Sequence, residues 1–272
     1  MYSHKAKKSL GQHFIHDRRV INRIIDSLQL EAEDKVLEIG PGKGQLSRNI
    51  LSAGAELTAI EIDRYLIDGP LKELSHEFKQ FTLHEADAAD VDPKEFMIND
   101  GPYKFVSNLP YNSATKILRN IMFQEHPPML SVVMLQKEVA DNIVSDGNLG
   151  ILGPIFQSVA FCRRLFNVKR TAFKPVPKVT STVIELKIRE QPLIDLTNKN
   201  DFIDFIIKSF SAPRKQLHNS LSIGLDLELE SSRLLLEVSE VNHTLRPEKL
   251  SVTEWVRIFN EYKKTVGLNL LK

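Results

Sequence analysis

Apolar residues recur along the chain with two different periods, one typical of strands and one typical of helices. Short apolar runs predict strands at residues 35–39, 57–61, 80–83, 103–107 and 130–135. Between them, helical spacing predicts helices at residues 45–52, 114–123 and 137–144. This alternation indicates βαβ units, and therefore an α/β fold with a doubly wound parallel sheet. Two later runs, 165–169 and 182–187, predict an antiparallel pair at the far edge of that sheet.

The pattern is interrupted at two places. Gly69-Pro70 breaks a helical stretch, and because proline lacks an N–H donor we expect a short or kinked helix there. Residues 195–200 are polar and follow Pro192, and beyond them the apolar residues recur at helical spacing. The sequence therefore predicts two domains, an α/β domain at residues 1–195 and a small all-helical domain at residues 196–272.

Composition excludes several classes of protein. Hydrophobic residues make up 42% of the 272 residues and charged residues 26%, which is typical of globular proteins and not of disordered or fibrous ones. Cys162 is the single cysteine, so a disulfide framework and a cysteine-rich metal site are excluded. The eight histidines show no paired spacing that predicts a metal site. We find neither a secretory signal nor an apolar run long enough to span a membrane, and therefore expect a cytoplasmic protein.

Basic residues are clustered although the formal net charge is only +1. Between residues 5 and 19, Asp17 is the one acid among Lys5, Lys7, Lys8, Arg18 and Arg19. A second basic stretch, residues 163–178, contains no acid. Such clusters favour one positive face that binds a polyanion. Separate solvated surfaces explain the charge equally well, and both interpretations stay open at this point.

A glycine-rich stretch lies where the first predicted strand meets the first predicted helix. It reads Glu38-Ile39-Gly40-Pro41-Gly42-Lys43-Gly44, and glycines at such a turn let the backbone approach a ligand closely. A dinucleotide site favours the spacing GxGxxG, whereas GxGxG after an acid is typical of S-adenosylmethionine (SAM) methyltransferases. Glu61 ends the second predicted strand and Asp87 follows the third, where carboxylates can accept hydrogen bonds from ribose hydroxyls and an adenine amine. Together these features favour SAM over NAD.

The segment Asn108-Leu109-Pro110-Tyr111 directly follows the fourth predicted strand. The Asn108 side-chain oxygen and the Pro110 carbonyl can each accept one N–H of an aromatic amine. Holding both hydrogens favours an sp3 nitrogen, whose lone pair is then free to attack a methyl group. Tyr111 is suited to stack on the target base. The alternative is an ordinary asparagine–proline turn.

Five stretches together carry a resemblance to a known family, namely residues 8–14, 38–44, 108–111, 173–181 and 246–251. The chain resembles the small-subunit ribosomal RNA adenine N6,N6-dimethyltransferases over nearly its whole length. Two alternatives are a sister family that methylates one adenine of large-subunit RNA and a non-catalytic binding protein with the same fold. The stretch 173–181 and the helical tail argue against the first, and intact Asn108–Tyr111 argues against the second.

The resemblance implies a class I, Rossmann-like, SAM-dependent methyltransferase sheet with a helical RNA- or ribosome-binding domain. The implied partner is the 3′-terminal hairpin loop of 16S rRNA in an assembling small subunit. We expect the enzyme to be a monomer and to use no metal. The implied cofactor-binding residues are His13, Ile15, Gly40, Gly42, Glu61, Asp87 and Asn108. The implied catalytic residues are Asn108, Leu109, Pro110, Tyr111 and Phe173, with Phe173 as a second aromatic wall opposite Tyr111. The sequence departs from the family at His13, Ala86 and Thr180, where Asn, Gly and Asp are more usual.

Overall fold

A computed structural model describes residues 7, 11–90, 101–145 and 147–267 of the chain. Its strands are β1 (Phe14–Ile15), β2 (Lys35–Ile39), β3 (Glu56–Glu61), β4 (Phe81–Glu85), β5 (Lys104–Asn108), β6 (Leu130–Gln136), β7 (Ala160–Val168), β8 (Phe173–Lys174) and β9 (Ser181–Ile188). Its α-helices are α1 (Arg18–Ser27), α2 (Gln45–Ser52), α3 (Arg64–Leu66), α4 (Lys72–Glu77), α5 (Ala114–Met122), α6 (Lys137–Val144), α7 (Leu152–Gln157), α8 (Lys199–Ser209), α9 (Leu217–Leu225), α10 (Leu229–Val238) and α11 (Val252–Gly267).

Seven of these strands form one sheet in the order β4-β3-β2-β5-β6-β9-β7. The pairings from β4 through β6 are all parallel, and β9 is antiparallel to β6. The doubly wound sheet and its antiparallel closure are therefore confirmed. The strand order reverses between β2 and β5, and open α/β sheets bind their ligands at the carboxyl ends of strands beside such a reversal.

The central strands are apolar because helices cover both faces of a parallel sheet. Four of the five residues of β2 are buried, and all but the last residue of β6 are buried. One apolar cluster joins the sheet to the flanking helices and includes Ile50 from α2 and Ile24 from α1. A buried sheet of this kind fixes the positions of its strand ends, where the polar residues of interest lie.

A second, two-stranded sheet pairs β1 with β8 in antiparallel register. Phe14 lies opposite Lys174, and Ile15 lies opposite Phe173. The sequence pattern did not predict this pairing, because two-residue strands carry no periodicity. It brings the N-terminal segment beside the stretch 173–181.

The break predicted at Gly69-Pro70 is confirmed. α3 ends at Leu66, a π-helical turn follows at Ile67–Leu71, and α4 begins at Lys72. Gly69 has non-helical backbone angles of φ −104° and ψ −110°. A helix cannot pass straight through these two residues, since Pro70 donates no backbone hydrogen bond.

The chain forms two compact units, one of Met1–Ala140 with Arg163–Ile188 and one of Asp141–Cys162 with Arg189–Lys272. The second unit includes residues 141–162, whereas the sequence predicts that these residues belong to the α/β domain at 1–195. The predicted domain boundary at residue 195 stays a prediction. In the second unit Phe205 of α8 packs against Trp255 and Phe259 of α11. Among the described residues, no helix is both long and apolar enough to cross a membrane.

Candidate active site

A cavity of about 280 Å³ lies at the carboxyl ends of β2, β3, β4 and β5. Its lining includes nine of the residues predicted for the site: His13, Gly40, Gly42, Glu61, Asp87, Asn108, Leu109, Pro110 and Tyr111. It also includes Gln12 and Phe14, which belong to the resemblance stretch 8–14 but were not predicted as site residues. The parallel sheet thus gathers residues from distant parts of the sequence around one space.

The glycine stretch forms the turn from β2 into α2. Gly40, Gly42 and Gly44 have φ values of +66°, +60° and +75°, which L side chains rarely adopt. A Cβ built on Gly42 lies 3.1 Å from the Phe14 ring, whereas one built on Gly40 meets no atom within 4 Å. The backbone at Gly40 is therefore open to a ligand in the cavity, as a SAM site requires.

Glu61 is the last residue of β3 and is 5% exposed. Its carboxylate accepts hydrogen bonds from the backbone N–H of Ile62 and of Asp63, each at 3.0 Å, and of Gly42 at 3.2 Å. Burial raises the pKa of Glu61, and these three N–H donors oppose that effect. The side chain is thus held in one orientation on the cavity wall, where it can accept ribose hydroxyls.

Asp87 lies just beyond β4 and is exposed. Its Oδ1 accepts the backbone N–H of Ala89 at 2.9 Å, which fixes the side chain locally. Because Asp87, Ala86 and Ala88 all line the cavity, this turn forms the wall at the end of β4. A carboxylate here can accept an N–H from an adenine amine.

The segment after β5 presents acceptor oxygens. Asn108 donates from its side-chain Nδ2 to the backbone oxygen of His13 at 2.9 Å, which leaves the side-chain Oδ1 as the acceptor. The Pro110 oxygen accepts the Ser113 N–H at 3.1 Å, and a carbonyl oxygen has a second lone pair. This segment therefore offers two oxygens to a donor of two hydrogens, such as an amino group.

Tyr111 is held at its hydroxyl. The hydroxyl oxygen lies 2.7 Å from Oγ of Ser181, a fully buried residue at the start of β9. Burial raises the pKa of Tyr111, so the phenol stays protonated over the physiological range. Ser181 ends the resemblance stretch 173–181, but the sequence does not predict its contact with Tyr111, because the two residues lie 70 positions apart in the chain.

The structure does not bring Ile15 and Phe173 to the cavity. They face each other in the β1–β8 ladder, are 4% and 1% exposed, and belong to the apolar core. The Phe173 ring is not part of the cavity lining in this structure, and its role as a second aromatic wall stays a prediction. The ring that does lie near Tyr111 is that of His13, with centroids 5.4 Å apart and planes tilted by 33°.

The N-terminal segment is attached to the end of β3 through Asp63. Its carboxylate accepts hydrogen bonds from Lys7 Nζ and Gln12 Nε2, each at 2.8 Å. Burial favours the neutral acid, but these donors outweigh it and hold the pKa of Asp63 below its usual value. Lys5 of the basic segment, and residues 8–10 of the first resemblance stretch, lie outside the described residues.

Glu38 is the penultimate residue of β2, directly before the glycine turn, and is the one acid in that strand. It is fully buried, and its carboxylate accepts a hydrogen bond from Ser47 Oγ at 2.6 Å. Burial raises the pKa of Glu38 to about 8, and the negative charge of Glu61 adds to this. Within the described residues, no group of three or more His, Cys, Asp or Glu side chains is arranged to hold a metal.

Comparison with known protein sequences gives one consistent result. The sequence model of the family described as ribosomal RNA adenine dimethylase matches residues 3–264. The chain is 34% identical over 273 residues to ribosomal RNA small subunit methyltransferase A of Pseudomonas aeruginosa, covering 98% of each chain. It is 35% identical over 261 residues to the protein of the same name from Lactococcus lactis, covering 93% of this chain and 88% of that one.

Two solved structures share the fold. A dimethyladenosine transferase from Plasmodium falciparum aligns with a TM-score of 0.78 at 23% identity, over 93% of this chain and 98% of that one. The 23S rRNA methyltransferase ErmE aligns with a TM-score of 0.71 at 24% identity, over 92% of this chain and 99% of that one. These similarities confirm the predicted fold class.

Replacing Glu38 with Gln should remove a pH dependence of stability. Above its ordinary pKa of 4.5 the unfolded chain ionises Glu38, whereas the folded protein keeps the proton to about pH 8. The wild type therefore loses stability as pH rises through this window. The stability of Glu38→Gln relative to wild type should rise by about 3 kcal/mol between pH 5 and pH 8. Urea unfolding across this range provides the measurement, with exposed Glu73→Gln as control. Parallel stability curves for all three proteins would contradict the assignment.

Replacing Tyr111 with Phe and Ser181 with Ala should have non-additive effects on stability. Either change leaves the remaining hydroxyl without its partner and should cost about 1 kcal/mol. Because both changes remove the same hydrogen bond, the double variant should lose little more than either single one. Chemical denaturation of the four proteins measures the coupling. Fully additive losses would show that the contact between these hydroxyls contributes nothing to the placement of Tyr111.

Proposed function

The chain belongs to the ribosomal RNA adenine dimethylase family, and we propose that it dimethylates N6 of two adjacent adenosines in the 3′-terminal hairpin loop of 16S rRNA. SAM is the methyl donor. The observation that carries this proposal is the position of two acceptor oxygens, on Asn108 and Pro110, at the same cavity as the glycine turn. A site for an amine thus lies directly beside a site suited to SAM.

The residues around the cavity fit SAM. The open backbone at Gly40, with Gly42 beside it, leaves room for the ligand at the end of β2. Glu61 is suited to hold the ribose and Asp87 the adenine, and the methionyl part would adjoin Asn108 and the neighbouring His13, which line the same cavity. When bound, SAM supplies a methyl group on a positively charged sulfur, which makes that methyl group electrophilic.

The protein's own contribution is to hold the target amine. An adenine amine is a poor nucleophile, because its lone pair is delocalised into the ring. The Asn108 Oδ1 and the Pro110 oxygen accept its two hydrogens and so favour a nitrogen whose lone pair points away from the ring. Tyr111 stacks on the base, which the RNA presents out of its own stack. Catalysis then consists of positioning and exclusion of water, with no covalent intermediate on the enzyme.

The basic segments provide a surface for the RNA backbone. In the first unit the Arg23 guanidinium of α1 lies 3.7 Å from the centroid of the Phe166 ring in β7, so residues 18–23 adjoin the stretch 163–178. The β1–β8 ladder joins the same two regions. Arg163 pairs with Glu185 at 2.6 Å and 2.8 Å, which reduces its own contribution. We propose that this face contacts 16S rRNA in an assembling small subunit, that residues 196–272 add further contacts, and that the protein acts as a cytoplasmic monomer.

The direct test is methyl transfer from isotopically labelled SAM to small subunits that lack the modification. Mass spectrometry of the nucleosides should find N6,N6-dimethyladenosine in 16S rRNA, at two adjacent positions. Asn108→Ala should make little product even when SAM and subunits are saturating, because the lost contact acts on the reacting amine. Label found in 23S rRNA instead, or in no RNA, would refute the proposal.

Replacing Glu61 with Ala should weaken the binding of SAM. Since a carboxylate that accepts ribose hydroxyls makes charge-assisted hydrogen bonds, the loss should be on the order of 2–3 kcal/mol. Titration calorimetry with SAM measures it, and Glu56→Ala is a matched control because Glu56 begins the same strand but is exposed. An unchanged SAM affinity in Glu61→Ala would remove Glu61 from the cofactor site.

A further inference from the structure

His13 lies between the two segments that the proposed reaction uses to hold the target base. Its backbone oxygen contacts Asn108, its ring lies beside Tyr111, and its Nδ1 contacts Pro175. We infer that His13 is a positioning residue for the amine-binding segment: it anchors Asn108 and Tyr111 to the turn at Pro175 and does not serve mainly as a ligand of SAM. This inference rests on the function proposed above.

The backbone contact sets the orientation of the Asn108 amide. The His13 oxygen is an acceptor, so the Asn108 side chain must turn its Nδ2 toward it, at 2.9 Å. The Oδ1 atom then faces away from His13. Because Phe14 and Ile15 pair with β8, the backbone after His13 is fixed by main-chain hydrogen bonds. A change of the His13 side chain therefore acts on this contact only by moving the residue as a whole.

The hydrogen bond between the imidazole and Pro175 determines where the His13 ring lies. The Pro175 oxygen can only accept a hydrogen bond, so His13 Nδ1, 2.8 Å away, must donate. This bond fixes the ring against the turn that follows β8. Its distance of 5.4 Å from the Tyr111 ring lies in the range of attractive aromatic pairs. Tyr111 is thus restrained at its hydroxyl by Ser181 and at its ring by His13.

A cofactor ligand and a positioning residue predict different kinetics. A ligand of SAM lowers SAM affinity when it is removed, and the rate recovers once SAM is saturating. A positioning residue leaves SAM affinity near normal and lowers the rate on fully bound enzyme, because a small displacement of reacting groups is costly. His13 has its side-chain donor bonded to Pro175, which favours the second pattern.

Three substitutions at this position separate the contacts. The amide nitrogen of asparagine lies as many bonds from the backbone as Nδ1 of histidine, so His13→Asn can still donate to Pro175. In His13→Gln the nitrogen lies one bond farther, and in His13→Ala the donor is absent. His16→Ala is the matched control, since His16 is exposed, belongs to the same segment and does not line the cavity.

The experiment measures single-turnover methylation of small subunits with SAM and subunits saturating, SAM affinity by calorimetry, and thermal stability of each variant. His13→Ala and His13→Gln should slow the single turnover by about tenfold, with SAM affinity within about twofold of wild type. His13→Asn should recover to within about threefold of the wild-type rate, and His16→Ala should match wild type.

Two results would overturn the inference. One is a normal single-turnover rate in His13→Ala together with weakened SAM binding, which would make His13 a cofactor ligand. The other is an equal loss of rate in His13→Asn and His13→Gln, both stably folded, which would show that donation to Pro175 is not what matters. A wild-type protein that methylates no adenosine refutes the proposed function itself, so the two failures are distinguishable.

Discussion

The antiparallel pairing of Phe14 and Ile15 with Lys174 and Phe173 sets the geometry on which the candidate site depends. A two-stranded ladder this short is not stable by itself in water. Its stability comes from the burial of Ile15 and Phe173 in the apolar core. The ladder holds the residues before it against the cavity, and it brings the turn after it to His13. The same burial that removes these two side chains from the cavity therefore keeps the surrounding residues in place.

Three buried carboxyl groups near the ends of β2 and β3 differ in the charge that the protein supports. Glu38 has one neutral donor, Ser47, so burial dominates and its proton is retained to about pH 8. Glu61 has three backbone donors, which reduce the penalty of burial without removing it. Asp63 faces the Lys7 ammonium group and remains ionised. The three carboxyl groups thus differ because their donors differ: the surroundings favour the neutral acid at Glu38 and the ionised form at Asp63.

The sequence predicted the sheet well because each long element has its own period. β2, α2 and α6 begin and end at the predicted residues, and the predicted βαβ alternation gives the observed parallel order. Contacts between distant segments could not be predicted from these local periods. β1, β8 and α1 were not predicted, and β7 begins five residues before the predicted run. Phe173 was assigned to the site by resemblance, and no local pattern reveals that its ring faces the core. The links from His13 to Asn108 and Pro175 depend on that same long-range pairing.

In the proposed reaction, the hydrogen bonds around Asn108 and Pro110 also determine which chemical group the site would receive. Asn108 Nδ2 donates to His13, so the Asn108 Oδ1 is left as an acceptor, and Pro110 adds a carbonyl oxygen without a competing backbone N–H. An exocyclic amine presents two hydrogens to them, whereas an exocyclic carbonyl presents lone pairs and leaves both oxygens unpaired. Buried polar groups without partners discriminate strongly between similar ligands. The preference for an amino group over a carbonyl therefore originates in how the N-terminal segment orients one amide side chain.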